Sequence, residues 1–430
     1  MSDLTYEKAV HQLFTQLPMF QRQGSPAYKA NLEPTKRVCR MLGNPEQHLK
    51  FVHVAGTNGK GTVSHMVAAA LQLSGHKVGL FSSPHLVDFR ERIRVNGRCI
   101  PESSVVDFVQ HWQANDGWGS PSFFELTFGL GLVHFHTSQC DVVVLETGMG
   151  GRLDSTNVIP TAELCVVTNI GLDHQQFLGP DIRSIAREKA GIFKASVPVV
   201  LGPMRPEAQS EMLQAALRTS SEVHFAAEQR PPKAQGASPS PFDEDNRKTA
   251  SMALKVLRDQ GWRLDVSQEP QALEEYAALS GQRGRWQWVS LPGQASVVLD
   301  GAHNVDAVSR LVGVLEKEVT QRGGVLYVVW GTVSDKTLET VLDWLPRTAK
   351  YFWCQAGVPR AMPASELALL ASSLGGTVCK GPVDALAAAL AASNEWDVVW
   401  VGGSLFVVGD VLRDAPSEME GWPSDPSTMA

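Results

Sequence analysis

From Val54 to Thr62 the chain reads Val-Ala-Gly-Thr-Asn-Gly-Lys-Gly-Thr, a run that combines glycines at 56, 59 and 61 with one lysine and a closing hydroxyl. Those glycines allow backbone angles closed to other residues, so successive N–H groups can turn into one concavity and hold phosphate oxygens. Lys60 can offset charge on a terminal phosphate, and the Thr62 hydroxyl stands where it can ligate Mg²⁺. The spacing departs from the common G-x-x-x-x-G-K-[ST] loop. Only Gly56-x-x-Gly59 precedes Lys60, and Gly61 separates the lysine from the hydroxyl.

Such a loop works only if a strand delivers it and a helix follows. Phe51 to Ala55 is a short apolar run with β-branched residues, the pattern of a strand covered on both faces. Val63 to Leu73 reads as a helix whose positive N-terminal end adds to anion binding. Other runs end in chemistry in the same way. Val78 to Phe81 leads into Ser82-Ser83-Pro84-His85, where Ser83 is a candidate metal ligand. Asp141 to Leu145 delivers Glu146 beside the glycine-rich Thr147 to Arg152, and Leu164 to Asn169 leads to Gly171-Leu172-Asp173-His174. Taken singly, these are a turn serine, a solvated strand terminus and a loop hydrogen bond. Open α/β sheets place ligands at the C-terminal ends of their strands, and a carboxylate there supports Mg²⁺ directly or through water.

Strands are predicted at 51–55, 78–82, 141–146, 164–169 and 197–201, with room for helices between them, which gives a parallel sheet. Gln229 to Pro241, rich in Pro, Ser and Gln, reads as an exposed loop, and a helical stretch follows around 247–260. New strands at 296–300, 325–330, 349–354 and 397–402 predict a second unit. The fold class is α/β, with an N-terminal P-loop domain (1–284) built on a mostly parallel sheet and a smaller Rossmann-like C-terminal domain (285–414). The tail 415–430, rich in Pro, Ser, Glu and Asp, is expected to be disordered.

Composition narrows the function classes. The 430 residues are 43% hydrophobic and 19% charged with a net charge of −7 and no long basic block, which gives no electrostatic footprint for nucleic acid or an anionic membrane. Six cysteines at 39, 99, 140, 165, 354 and 379 form no C-x-x-C pair and fit reduced thiols in a cytoplasm. No secretory h-region or membrane-length apolar stretch is present, so a cytoplasmic protein without a membrane partner is expected, and a monomer.

Together the ordered motifs resemble the folylpolyglutamate synthase and dihydrofolate synthase family of Mur-ligase-like, ATP-dependent amide ligases. The resemblance spans most of the chain. It rests on Val54 to Thr62, Ser82 to Leu86, Glu146 to Asp154, Asp173-His174, Arg187-Glu188-Lys189-Ala190-Gly191-Ile192 and Asp300-Gly301-Ala302-His303-Asn304. Gly61, the departure from the general loop, is the usual form in this family.

The resemblance implies a ligase that uses ATP and Mg²⁺ to join L-glutamate to a dihydropteroate or reduced-folate carboxylate through an acyl phosphate. Both acceptors stay open at this point. It implies catalytic roles for Lys60, Glu146, His174, Lys189 and His303, and nucleotide contacts from Gly56, Thr57, Asn58, Gly59, Lys60, Gly61, Thr62, Asn246, Arg285 and Asp300. Thr62, Ser83, Glu146, His174 and a carbamylated Lys189 would serve the metals, although the residues alone equally allow Lys189 to be a helix-surface lysine. Arg285 and Asp300 would reach ATP across a cleft, with His303 on the glutamate side or, alternatively, capping a helix. Substrate contacts are expected from Ser83, His303, Phe89 (stacking on a flat heterocycle) and Arg90 or Arg92 (meeting a carboxylate), or else these last three pack and solvate. The lead-in around 18–35 and the turn Val333-Ser334-Asp335-Lys336 also resemble family segments.

One region departs from the family pattern. Phe242-Asp243 occupy the place of a His-Gln pair before an Asn-led helix, and the segment from Glu222 to Pro241 is short, which alters the expected adenine pocket. Other classes fit less of the chain. Another Mur-type amino-acid ligase would add an N-terminal nucleotide-sugar domain, for which about fifty residues are too few. A P-loop regulator would have no need of the Asp300 to Asn304 motif.

Overall fold

The computed structural model describes residues 4–19, 31–232, 240–333 and 338–415. Parts of the expected lead-in (20–30), the long loop (233–239), the turn at 334–336 and the tail from 416 lie outside the described residues. The chain divides into two compact units. The first takes in the described residues up to Gln282, save Leu86–Asp88 and residues 240–242, which belong with the second unit from Arg283 onward.

The first unit is an eight-stranded sheet in the order β4-β3-β2-β5-β1-β6-β7-β8, built from β1 (Phe51–Ala55), β2 (Val78–Phe81), β3 (Ile93–Val95), β4 (Arg98–Cys99), β5 (Val142–Glu146), β6 (Leu164–Val167), β7 (Val199–Leu201) and β8 (Val223–Phe225). All pairs are parallel except β2–β3 and β3–β4. The first strand in sequence therefore lies between β5 and β6, with the chain running outward on either side. A crevice opens at the C-terminal end of such a strand.

Alternation along the strands explains why both faces are buried. Phe51, Ala55, Leu145 and Val167 join a core with the helices Tyr6–Gln16, Phe123–Thr137 and Ile182–Ala190. Val52, Val54, Val144 and Val166 join another with the helices Lys60–Leu73, Asp243–Asp259 and Glu269–Ser280.

The expected strands are all present; β1 has the expected bounds and the others are shorter by a residue or two. Beyond the expected strands of this unit lie β8 and the pair β3–β4, which form a hairpin at Asn96-Gly97, where both residues have positive φ (47° and 76°). The helix after the loop begins at Lys60, three residues earlier than predicted, and the later helix begins at Asp243, so Asn246 does not lead it.

The second unit is a six-stranded sheet in the order β13-β12-β11-β14-β10-β9, from β9 (Gln287–Val289), β10 (Ser296–Leu299), β11 (Leu326–Trp330), β12 (Lys350–Trp353), β13 (Thr377–Val378) and β14 (Val398–Gly402). Only β9–β10 is antiparallel. Val297, Leu299, Val399 and Val401 face one helical layer, and Val298, Val328, Val398 and Trp400 face the other. Both units are thus α/β folds with helices on both faces of a mostly parallel sheet.

Candidate functional site

The loop at the end of β1 is held by the chain that continues β6. Thr57 N donates to Asn169 O (2.9 Å), Asn58 N donates to Asn169 Oδ1 (2.8 Å), and Thr168 Oγ1 donates to Asn58 O (2.6 Å). Thr57 Oγ1 in turn exchanges hydrogen bonds with the backbone of Gly171 (3.0 and 3.1 Å). Gly56 has φ of +152°, and a Cβ there would meet Thr168 Oγ1 at 1.9 Å, so no other residue fits. Gly59, at φ +80°, begins the helix Lys60–Leu73 without a side-chain cap, and the helix's first N–H groups lack intrahelical partners by geometry. A Cβ at Gly59 would lie 2.2 Å from Asn246 Oδ1, which places Asn246 against the loop. Lys60 folds back over it, its Nζ donating to Thr57 O at 3.2 Å, and Thr62 sits on the first helical turn.

Glu146 pairs in register with Val54 on the neighbouring strand, so its carboxylate emerges beside the loop. It is 4% exposed, and its Oε2 accepts the backbone N–H of Ser83 at 3.1 Å, since Phe81 of β2 pairs with Leu145. A Cβ on Gly61 would come within 3.5 and 3.6 Å of the two Glu146 oxygens. Those are ordinary contact distances, so the start of the helix and the acid lie side by side.

The Glu146–Asp154 and Arg187–Ile192 motifs meet as one body. Ser184 and Asp181 form a reciprocal capping pair that starts the helix Ile182–Ala190. At its other end Arg152 N donates to Glu188 O (2.7 Å), the Arg152 guanidinium pairs with the Glu188 carboxylate (2.7 Å), and Gly151 and Gly191 leave no room for a Cβ. This brings Lys189 inward. It is 3% exposed, so it is not a helix-surface lysine, and its Nζ donates to Gly56 O at 2.7 Å. Burial, reinforced by the charge of Lys60 and opposed by Asp173 and Asp154, lowers its pKa to about 7.

Asp173 acts electrostatically on Lys189 and so shares its surroundings. His174 follows at φ +50°, its Nε2 3.9 Å from Asp173 Oδ2. Asp154 is buried and accepts from Met149 N, Thr156 N and Thr156 Oγ1 at 2.7, 3.0 and 2.6 Å. Burial raises its pKa while these donors lower it. Behind it His53, on β1, contacts Thr156 Oγ1 through Nε2 at 2.9 Å, and burial drives its pKa down to about 3. Nothing in the sequence marks His53, Asn169 or Thr168, which look like ordinary strand and turn residues.

The residues after the serine turn fold into the body of the unit. Phe89 is 2% exposed, with Phe14, His85 and Phe123 rings around it, so it presents no face for a flat ligand and serves as core. Arg90 pairs with Glu102 at 3.3 Å and lies over the Tyr6 ring. Arg92 is buried, its Nε donating to His85 Nδ1 at 2.7 Å with its guanidinium over Phe123. Burial lowers its pKa to about 10, opposed by Glu91 and Glu146.

In the second unit Asp300 follows β10 directly and is braced by two backbone donors, Trp286 N to Oδ2 (2.8 Å) and Ala302 N to Oδ1 (2.9 Å). Burial raises its pKa, and Arg285 is the main opposing charge. Arg285 Nη1 would lie 3.2 Å from a Cβ on Gly301, so the arginine borders the same turn. His303 Nδ1 bonds Gly301 O at 2.8 Å, which in a neutral ring makes Nε2 the lone-pair nitrogen. The helix Val305–Arg322 is capped by Asn304, whose Oδ1 accepts from Ala307 N, and not by His303.

A phosphate-type loop at the centre of one α/β unit, followed by a second α/β unit, is the arrangement of the Mur-type ligases. Residues 54–232 match the Mur ligase middle domain, and residues 284–405 match the Mur ligase glutamate ligase domain. The chain is 34% identical over 416 residues to a dihydrofolate synthase/folylpolyglutamate synthase of Escherichia coli (strain K12), covering 94% of this chain and 96% of that protein. The structure of E. coli FolC in complex with DHPP and ADP aligns with a TM-score of 0.80 at 30% identity, covering 95% and 97% of the two chains. A bifunctional folylpolyglutamate synthase/dihydrofolate synthase with Mn, AMPPNP and L-glutamate bound aligns with a TM-score of 0.76 at 30% identity, covering 90% and 94%. The chain belongs to the dihydrofolate synthase/folylpolyglutamate synthase family.

Proposed function

We propose that this protein uses ATP to join the amine of L-glutamate to the carboxylate of dihydropteroate or of a reduced folate. In this reading a carboxylate oxygen of the acceptor attacks the γ-phosphorus of ATP and ADP leaves. The glutamate nitrogen then attacks the acyl-phosphate carbon, phosphate departs, and the amine gives up a proton. One observation carries the reading: the start of the phosphate-loop helix at Gly61 and the Glu146 carboxylate lie side by side next to the loop that follows β1.

Each residue then has a physical task. Two anions meet in the first step, so Lys60 and the loop N–H groups offset charge on the transferring phosphoryl group. Among the described residues no three His, Cys, Asp or Glu side chains converge into a metal cage, while Glu146, Ser83 and Thr62 offer oxygen donors of the kind Mg²⁺ accepts alongside water and phosphate. Mg²⁺ held there would neutralise phosphate charge. His174 is assigned to the same edge. Lys189, its amine close to half neutral at pH 7, suits reaction with CO₂, in which an N–C bond forms and one proton is lost, leaving a carbamate anion that adds to the metal-binding groups. Asn246 supports nucleotide binding through its place against Gly59. Arg285 and Asp300 are assigned to the nucleotide, and His303 to glutamate.

We also assign the protein to the cytoplasm as a monomer. All six cysteines are free thiols, and no helix of the described residues is long and apolar enough to cross a membrane. The test of the reaction is direct. Purified protein with Mg·ATP, glutamate and either acceptor should release ADP and yield a product heavier by one glutamyl residue. Failure with both acceptors would refute the ligase assignment.

A further inference from the structure

We propose that Gln282 is a positioning residue of the phosphate site, an inference that rests on reading the Gly56 to Thr62 loop as a nucleotide cradle. The Cβ that Gly61 lacks would lie 3.2 Å from Gln282 Nε2 and 3.5 Å from Glu146 Oε2. Carboxamide and carboxylate therefore flank one spot over the first turn of the helix. Gln282 Oε1 is buried and has no hydrogen-bond partner in the protein. Buried polar oxygens in folded proteins are almost always partnered, so the arrangement suits a ligand that completes it. A carboxamide offers a donor and an acceptor side by side. The unpartnered oxygen fits a proton of a metal-bound water.

The residue is mounted firmly enough for such a task. Ser280, which ends the helix Glu269–Ser280, gives its hydroxyl proton to Tyr276 O and accepts from His65 Nδ1 at 2.7 Å, and His65 belongs to the phosphate-loop helix itself. Gly281 follows at φ +80°, lying so close over the Arg94 guanidinium that a Cβ would meet Nη1 at 2.6 Å. Arg94 is fixed in turn by donating from Nη1 to Gly97 O at 3.0 Å. With Ser280 and Gly281 pinned, the Gln282 side chain has a defined origin. Such support is what an orienting group needs.

Binding of the non-hydrolysable analogue AMPPNP, measured by calorimetry with and without Mg²⁺, tests this apart from turnover. Gln282→Leu keeps the volume and removes both polar functions. We expect an unchanged thermal midpoint, an unchanged metal-free AMPPNP affinity, and a Mg²⁺ requirement for tight binding raised roughly tenfold or more. Gln282→Glu keeps the shape and sets a second anion beside Glu146. It should weaken metal-free binding, with excess Mg²⁺ restoring it. A Mg²⁺ requirement equal to wild type in both variants overturns the proposal, as does an equal loss with and without metal in Gln282→Leu. If that variant does not fold, Gln282→Glu decides alone. Wild-type protein that binds no Mg·AMPPNP would overturn the cradle reading itself, and this inference with it.

Discussion

The amine of Lys189 lies 2.7 Å from the carbonyl oxygen of Gly56, the residue at which β1 turns into the phosphate loop. The two residues come from motifs far apart in sequence, and their contact ties a buried base to the strand that presents the nucleotide site. The low pKa of Lys189 follows from that burial.

Lys189 should therefore behave unlike a surface lysine. With its pKa at about 7, most of its amine is neutral at pH 8, whereas an ordinary lysine is less than about 1% neutral there. In ¹³C-bicarbonate, a carbamate carbon resonance should grow as pH rises through 7 and vanish in Lys189→Arg. Equal signals from wild type and variant would remove Lys189 as the modified group.

Glu146→Gln keeps the shape and the acceptor for Ser83 N but loses the negative charge. We expect an unchanged thermal midpoint, with ADP release lowered about a hundredfold or more. The outcome is read from kcat at saturating Mg·ATP, and wild-type turnover would exclude Glu146 from the site.

Gly61→Ala sets a methyl group 3.2 Å from Gln282 Nε2 and 3.5 Å from the Glu146 carboxylate. Ala is the better helix former by up to about 1 kcal/mol, so stability should hold or rise slightly. The methyl leaves the acid in place but occupies the spot that Gln282 and Glu146 flank, which should cost about tenfold or more in kcat/KM. Gly56→Ala is the contrast, because its Cβ would meet Thr168 Oγ1 at 1.9 Å with φ at +152°. That substitution should lower stability by about 2–4 kcal/mol in urea denaturation.

His53 contributes to the pH dependence of stability. Its folded pKa of about 3 lies below the ordinary value of 6.5, so between these the unfolded state holds more protons. Its contribution is complete above pH 6.5 and declines as pH falls toward 3, by up to a few kcal/mol. His53→Gln should flatten the stability curve between pH 4 and 6.5, measured by urea denaturation across that range. A slope identical to wild type would show that His53 does not titrate on unfolding.

Much of this protein was written locally. The central strands follow from runs such as Val142 to Leu145, in which every residue is apolar because both sheet faces are covered. The phosphate loop follows from its glycines, because only glycine tolerates the φ of Gly56 and Gly59. Strand ends carrying Ser83, Glu146 and Asp300 were legible for the same reason. What periodicity and spacing leave open is which distant segments share a volume. Phe89 and Arg92 look like a ligand-facing pair in sequence, yet the fold turns them into the aromatic core. Lys189 reads equally as surface or site until Gly151 and Arg152 pack against its helix. Gln282 gave no signal at all, because its place beside Gly61 depends on the packing of two helices. Local backbone chemistry is set by neighbours in the chain, and the sequence by itself therefore determined the loop, the strands and the acids at their ends. The burial of Lys189 and His53, and the proximity of Lys189 and Gln282 to that loop, are long-range properties, and only the tertiary structure decided them.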